Sequence, residues 1–145
     1  MSRQRRTVRL ARVAFNATLV LTLALAPPAT IAQTSSTAMP AQSTIAGVTV
    51  KVTPVSLGEA GGPVEFSVVF DTHSTELTDD LMQSASLTLP DGRKLKPARW
   101  TGAGPGGHHR EGVLSFDGLD PGPGAVELSI TRPGESSPRF FRFQR

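Results

Sequence analysis

The chain has 145 residues, 15 basic and 12 acidic side chains, and no cysteine. This length suits one domain plus a short additional segment. The absence of cysteine excludes disulfide bonds and thiolate metal sites. Residues 1–32 hold five of the basic residues and none of the acidic ones, so the remainder has 10 basic and 12 acidic residues, a net charge of −2. This balance excludes a strongly basic surface, and we expect no nucleic-acid partner.

Residues 1–32 have the pattern of a secretory signal peptide. An arginine-rich start (1–12) precedes an apolar run (13–26), and small residues follow as far as Ala32. This order of basic, apolar and small residues is typical of cleaved leaders. The apolar run is shorter than the ~20 residues that a membrane span needs. We therefore expect a signal-peptide helix, cleavage after Ala32, a periplasmic or secreted location, and membrane contact only through the uncleaved leader.

The rest of the chain predicts a short linker and an all-β domain. Residues 33–46 are small and polar, which indicates a flexible linker. In residues 47–145, apolar and polar side chains alternate with the period of two that half-buried strands require. The predicted strands are 48–53, 64–70, 84–89, 94–100, 112–116, 126–130 and 139–144. Seven short strands separated by turns rich in Gly and Pro predict a seven-stranded immunoglobulin-like antiparallel sandwich.

Individual residues and one short segment refine these predictions. Pro54 is expected to end the first strand, and Pro97 is expected to place the fourth strand at a sheet edge, because proline cannot donate to a ladder. Residues 75–83 predict a short turn and no long helix. Trp100 is expected to plug the core or its rim, because a large apolar ring with one donor suits that position.

The three histidines fall in two of the predicted connections. His73 follows the second strand, and His108 and His109 precede the fifth. Successive strands of an antiparallel sandwich reverse direction, so both connections should lie at one pole. Imidazoles with a nearby carboxylate suit Zn²⁺ or Cu²⁺. The sequence therefore suggests a metal site made by His73, His108, His109 and Asp71, in which Asp71 either binds the ion or orients an imidazole.

Two alternatives to a metal site remain open. The histidines can serve only to clip the two loops together through hydrogen bonds. The glycine-rich loop (102–107) can also be a contact surface for a protein partner. Catalysis is not expected, because the chain has no nucleophile elbow, phosphate-binding loop or HExxH motif. Ser74 beside His73 is not a triad. We expect a non-enzymatic protein with no catalytic or cofactor-binding residues other than the metal ligands.

Two further groups of charged residues are interpreted as solvent-exposed. Asp79 and Asp80 have too few oxygen ligands nearby for a calcium loop and are expected to form a solvated turn. Arg139, Arg142 and Arg145 lie among Phe140, Phe141 and Phe143 near the end of the chain, and this mixture is expected of a last strand with one exposed face.

The loop residues form a longer pattern. It consists of Asp71-Thr72-His73-Ser74, then Trp100-x-Gly102, then Gly106-Gly107-His108-His109-Arg110-x-Gly112. This pattern resembles that of small exported bacterial domains of uncharacterised function. The resemblance implies a β-sandwich and a special role for these loops, and it implies no activity.

Overall fold

The computed structural model of the protein describes residues 39–117 and 122–145. The predicted signal peptide (1–32), residues 33–38 of the predicted linker and the turn residues 118–121 lie outside the described residues. All described residues belong to the unit Ser35–Arg145. Within the described ranges, no helix is long and apolar enough to cross a membrane.

Nine strands and one α-helical turn make up the described chain, so the predicted number of seven strands is wrong. The elements are β1 (Ala41–Ile45), β2 (Val48–Leu57), β3 (Val64–Thr72), α1 (Leu81–Ser84), β4 (Ala85–Thr88), β5 (Lys94–Leu95), β6 (Arg99–Gly102), β7 (His109–Phe116), β8 (Ala125–Ile130) and β9 (Arg139–Gln144). A 3₁₀ turn at Glu59–Gly61 joins β2 and β3. The two additional strands are β1 and one half of the predicted fourth strand.

The strands form two antiparallel sheets, as the alternation of apolar residues predicts. One sheet has the order β1-β2-β3-β7-β6 and the other β5-β4-β8-β9. The inward-facing side chains of both sheets form one apolar core, in which four phenylalanines are the largest fully buried members. These are Phe66, Phe70, Phe116 and Phe141. The all-β class and the two-sheet antiparallel arrangement are confirmed.

Strand β1 lies inside the segment that was predicted to be a flexible linker, so that prediction is wrong for residues 41–45. The chain turns at Ala46 and Gly47, which both have positive φ, and β1 pairs with the first half of β2 from Ile45↔Val48 to Ala41↔Val52. This is the backbone geometry of a two-residue hairpin turn. The polar sequence of β1 gave no strand signal, because an edge strand needs few apolar side chains.

Two prolines mark departures from the predicted strand ends. Pro54 does not end β2, because β1 pairs only as far as Val52 and the missing N–H of Pro54 faces no neighbouring strand there. Pro97 divides the predicted fourth strand into β5 and β6, which belong to different sheets. The chain passes from one sheet to the other at the residue that cannot continue a hydrogen-bonded ladder.

Candidate functional site

The two histidine-bearing loops meet at one pole of the sandwich. The N–H of Thr72 donates to the carbonyl oxygen of His108 at 2.9 Å, where the β3–β7 ladder ends. Beyond this point, Leu77 makes two backbone hydrogen bonds with the glycine-rich loop. The N–H of Leu77 donates to the oxygen of Gly107 at 3.0 Å, and the N–H of Gly106 donates to the oxygen of Leu77 at 2.7 Å. The loops are therefore joined through their backbones.

The additional strand between the two loops leaves their placement at one pole unchanged. Strands β3 and β6 are both antiparallel to β7, so they run in the same direction. The loops that follow β3 and β6, which carry His73 and His108, therefore lie at the same end of this sheet, as the alternation of strand directions predicted.

His109 is held between two carboxylates on the outer face of the first sheet. Its Nδ1 donates to Asp71 Oδ1 at 2.6 Å, and its Nε2 lies 3.7 Å from Glu111 Oε2. Asp71 is the cross-strand partner of His109, and Glu111 is two residues further along the same face of β7. The three side chains are more than half exposed, at 56% for Asp71, 58% for His109 and 70% for Glu111.

The hydrogen bond that His109 donates to Asp71 raises the pKa of His109 above its ordinary value, and the charge of Glu111 adds to this effect. Because Asp71 accepts from Nδ1, a neutral imidazole carries its proton there and presents a lone pair at Nε2. A protonated imidazole instead points a second N–H towards Glu111. The arrangement is consequently an Asp–His clip whose charge depends on pH.

His73 and His108 are also exposed, but neither imidazole hydrogen-bonds to any described residue. The loop that carries His73 is shaped by Thr72, whose buried hydroxyl accepts from the N–H groups of Ser74 and Thr75, each at 3.3 Å. Such a Ser/Thr turn fixes the backbone without help from the imidazole. The structure thus brings the two loops together, and joins Asp71 only to His109.

In residues 39–117 and 122–145, no group of three or more His, Asp or Glu side chains is placed to hold a metal ion. The best pair of donors is His109 Nε2 and Glu111, with Asp71 on the opposite ring nitrogen. A carboxylate on the second nitrogen is the usual partner of a metal-binding imidazole. Glu111, which is missing from the predicted set of ligands, is therefore a better neighbour for His109 than the other two histidines are.

The inner side of the same pole contains a buried ionic network that the sequence analysis missed. Asp79 accepts two hydrogen bonds from Arg132, at 2.8 and 3.0 Å. Arg132 also donates to Glu135 at 3.1 Å, and Glu135 accepts two further bonds from Arg139. Asp79 is 1% exposed and Arg139 2%, so the interpretation of both residues as solvated was wrong.

Arg139 connects this network to the first hairpin. Its guanidinium donates to the carbonyl oxygens of Ser43 at 2.7 Å, Val48 at 2.9 Å and Ile45 at 3.2 Å. Arg139 consequently faces inward on β9 together with Phe141, while Phe140 is 61% exposed. The hydrogen bonds of Arg139 hold the pKa of Glu135 below its ordinary value. The fixed donors of a guanidinium suit this bridging position.

Arg110 and Trp100 complete the inner side. Arg110 is buried and donates to the backbone carbonyl oxygens of Asp79 and Ala103. Its guanidinium lies 5.4 Å from the centroid of the Trp100 ring. The indole Nε1 also donates to Ala103 O, at 2.9 Å. Trp100 packs against the core, as predicted. Burial lowers the pKa of Arg110, but a guanidinium still keeps its proton.

Two paired glycines make room for the indole ring. Gly102 and Gly112 are cross-strand partners, and a Cβ at Gly112 would lie 2.6 Å from Gly102 Cα and 2.7 Å from Trp100 Cζ2. A ring packed over a glycine pair in this way compensates for the missing side chains. The pattern that spans Asp71, Trp100, Gly102, His109 and Gly112 therefore has a structural explanation at each of these positions.

No protein family, no curated protein and no solved structure matches the chain.

Proposed function

We propose that this protein is an exported, non-catalytic β-sandwich domain that works by contacting a protein partner, and that its histidines serve to clip the loops. The carrying observation is the 2.6 Å hydrogen bond between His109 and Asp71, at the point where backbone bonds already join the two loops. This bond links β3 to β7 through side chains and adds to the backbone bonds between the loops, which supports the role of His109 as a clip. The composition of residues 1–32 supports export to the periplasm or beyond the cell.

We also propose that the domain is an immunoglobulin-like sandwich. Without β1, the sheet orders are β2-β3-β7-β6 and β5-β4-β8-β9. They correspond in chain order to the A-B-E-D and C′-C-F-G sheets of immunoglobulin-type sandwiches. Such domains are commonly recognition modules, so the order supports a role in contact. Fold alone assigns no function.

Metal binding is the second candidate, and one observation favours it. Asp71 holds His109 so that Nε2 faces Glu111 across 3.7 Å, with the lone pair of the neutral ring available. Zn²⁺ or Cu²⁺ bound there would take one imidazole and one carboxylate from β7. Further ligands would come from water or from the predicted residues His73 and His108.

Metal titration separates the two candidates. The protein is expressed from the complete chain without a histidine tag and titrated with Zn²⁺ or Cu²⁺, beside His73→Ala, His108→Ala, His109→Ala and Asp71→Asn. The clip predicts no one-to-one binding, and it predicts that only the last two variants unfold more easily. One-to-one binding that is lost in His109→Ala would overturn the clip as the sole role of His109 and establish the metal site. A further loss in His73→Ala or His108→Ala would add that residue to the ligands.

A further inference from the structure

Four strands lie at the edges of the two sheets in the described chain, and three of them are protected against pairing. Strand β9 has Arg142 near its middle, β6 begins with Arg99, and β5 is only two residues long and includes Lys94. Charges and short length are the usual means by which an edge avoids another strand. Strand β1 has the sequence Ala-Gln-Ser-Thr-Ile, with no charge and no proline. It is the unprotected edge of the described sandwich.

The backbone groups at this edge can be assigned from the ladder. The two-residue turn makes Ile45 and Val48 a hydrogen-bonded pair, and such pairs alternate along antiparallel strands. The amides of Ala41, Ser43 and Ile45 therefore face β2. The N–H and C=O groups of Gln42 and Thr44 face the open edge, where they have no backbone partner in the described ranges.

We propose that β1 pairs antiparallel with β1 of a second copy of this chain, about a two-fold axis at Ser43. In this register, Gln42 lies opposite Thr44 of the partner subunit, and the two residues exchange both of their free N–H···O=C bonds. The symmetric pair does the same, so all four outward-facing donors and acceptors of each strand find partners. A shift by two residues leaves some of them unpaired.

The side chains agree with this pairing. The same register sets Ile45, which is 44% exposed, opposite Ala41 of the partner subunit, so that a large and a small apolar side chain meet. No charged side chain of β1 faces its symmetric copy, so no like-charge repulsion opposes the contact. Arg139 holds the hairpin in place from the inside through its bonds to Ser43, Ile45 and Val48. A two-fold pairing is closed, and it gives a dimer and no fibre.

The inference deepens the proposed contact role, on which it rests, by naming one surface and one partner. Two five-residue strands form a contact smaller than the roughly 1,600 Å² of a standard interface. We therefore expect a weak dimer whose fraction rises with protein concentration.

Sedimentation equilibrium of the protein expressed from the complete chain, over a series of concentrations, tests the proposal. Gln42→Pro removes one outward-facing N–H without touching a β1–β2 bond, and Thr44→Lys adds the charge that the other edges have. Gln144→Pro is the matched control, because Gln144 also lies on an edge strand, with its N–H facing outward on β9. We expect the dimer in the wild type and the control, and at least about tenfold weaker association in both β1 variants.

Three results would overturn the proposal. They are a wild type that stays monomeric throughout, a dimer that both β1 variants retain, and a dimer that Gln144→Pro weakens equally. If the wild type is monomeric and binds the free peptide Ala-Gln-Ser-Thr-Ile, while Thr44→Lys does not bind it, the β1 edge would be assigned to an extended segment of another protein. Asp71 lies outside the pairing region, so the stability of the Asp71→Asn variant tests the histidine clip even if no dimer forms.

Discussion

Neighbouring residues on β7 show how different the two sides of the histidine pole are. His109 faces outward, where its clip to Asp71 is exposed to water and salt. Arg110 faces inward, next to Trp100 and the buried carbonyl of Asp79. Exposed ion pairs contribute little to stability. Arg110 instead donates to buried backbone carbonyl groups, which would lose their partner if it were removed. His109 thus lies in the weaker interaction, and Arg110 lies in the stronger one.

The largest effect is expected from breaking the inner side at Asp79. Asp79→Asn leaves Arg132 buried beside an uncharged amide, and should lower the free energy of unfolding by about 3–5 kcal/mol. Urea denaturation measures this loss. The control is Asp91→Asn, since the ion pair of Asp91 with Arg93 is half exposed and should matter much less. Equal losses in the two variants would contradict the buried network.

The glycine pair under Trp100 should give the next largest effect. Gly112→Ala places a methyl group within 2.7 Å of Trp100 Cζ2 and 2.6 Å of Gly102 Cα, and should destabilise the protein by about 1–3 kcal/mol. Fluorescence of the single tryptophan should shift as the ring moves. Gly104→Ala is the matched control, because no atom lies within 4 Å of the added methyl group. An unchanged emission spectrum for Gly112→Ala would show that the ring does not depend on this glycine.

A smaller effect of opposite sign is expected in the hairpin that Arg139 binds. Ala46 has φ 49°, in the left-handed region that glycine adopts more easily. Ala46→Gly should therefore raise the free energy of unfolding by about 0.5–1 kcal/mol. Ala125→Gly, in a strand without a positive φ, should lower it instead. Thermal unfolding of both variants distinguishes relief of strain from a general effect of glycine.

The smallest effect is expected on the outer side, and it depends on pH. The pKa of His109 is raised in the folded protein, so the charge-dependent part of the clip is fully present below the unfolded pKa of about 6.5 and is lost as the pH rises through the folded pKa. The Nδ1–H of the neutral ring still donates to Asp71, so that hydrogen bond remains at high pH. The difference in stability between wild type and Asp71→Asn should therefore shrink, without vanishing, between about pH 5 and about pH 9. Histidine NMR titration should show a lower pKa for His109 in the variant. A stability difference that is constant with pH would contradict the charge-dependent clip.

The class of fold and the meeting of the loops could be read from residue patterns. Strands 48–52, 64–70 and 126–130 alternate cleanly, because each buries one face in the core. The common pole followed from strand direction alone, and it survived a wrong strand count because β3 and β6 run in the same direction beside β7. Strand β1 was missed because its side chains are polar. It is a strand because it pairs with β2 and because Arg139 donates to its Ser43 and Ile45 carbonyl groups.

The sequence by itself determined where apolar side chains face, since a period of two is a local property of the backbone. Tertiary structure decided which charges are buried and which partners they find. Asp79 and Arg132 are 53 residues apart, and Arg139 reaches carbonyl groups more than 90 residues away. The alternation in β9 holds, with Arg139, Phe141 and Phe143 facing inward, but only the fold shows that the arginine on this face is buried with partners. A buried charge is stable only where distant groups converge on it, and no local pattern encodes that convergence.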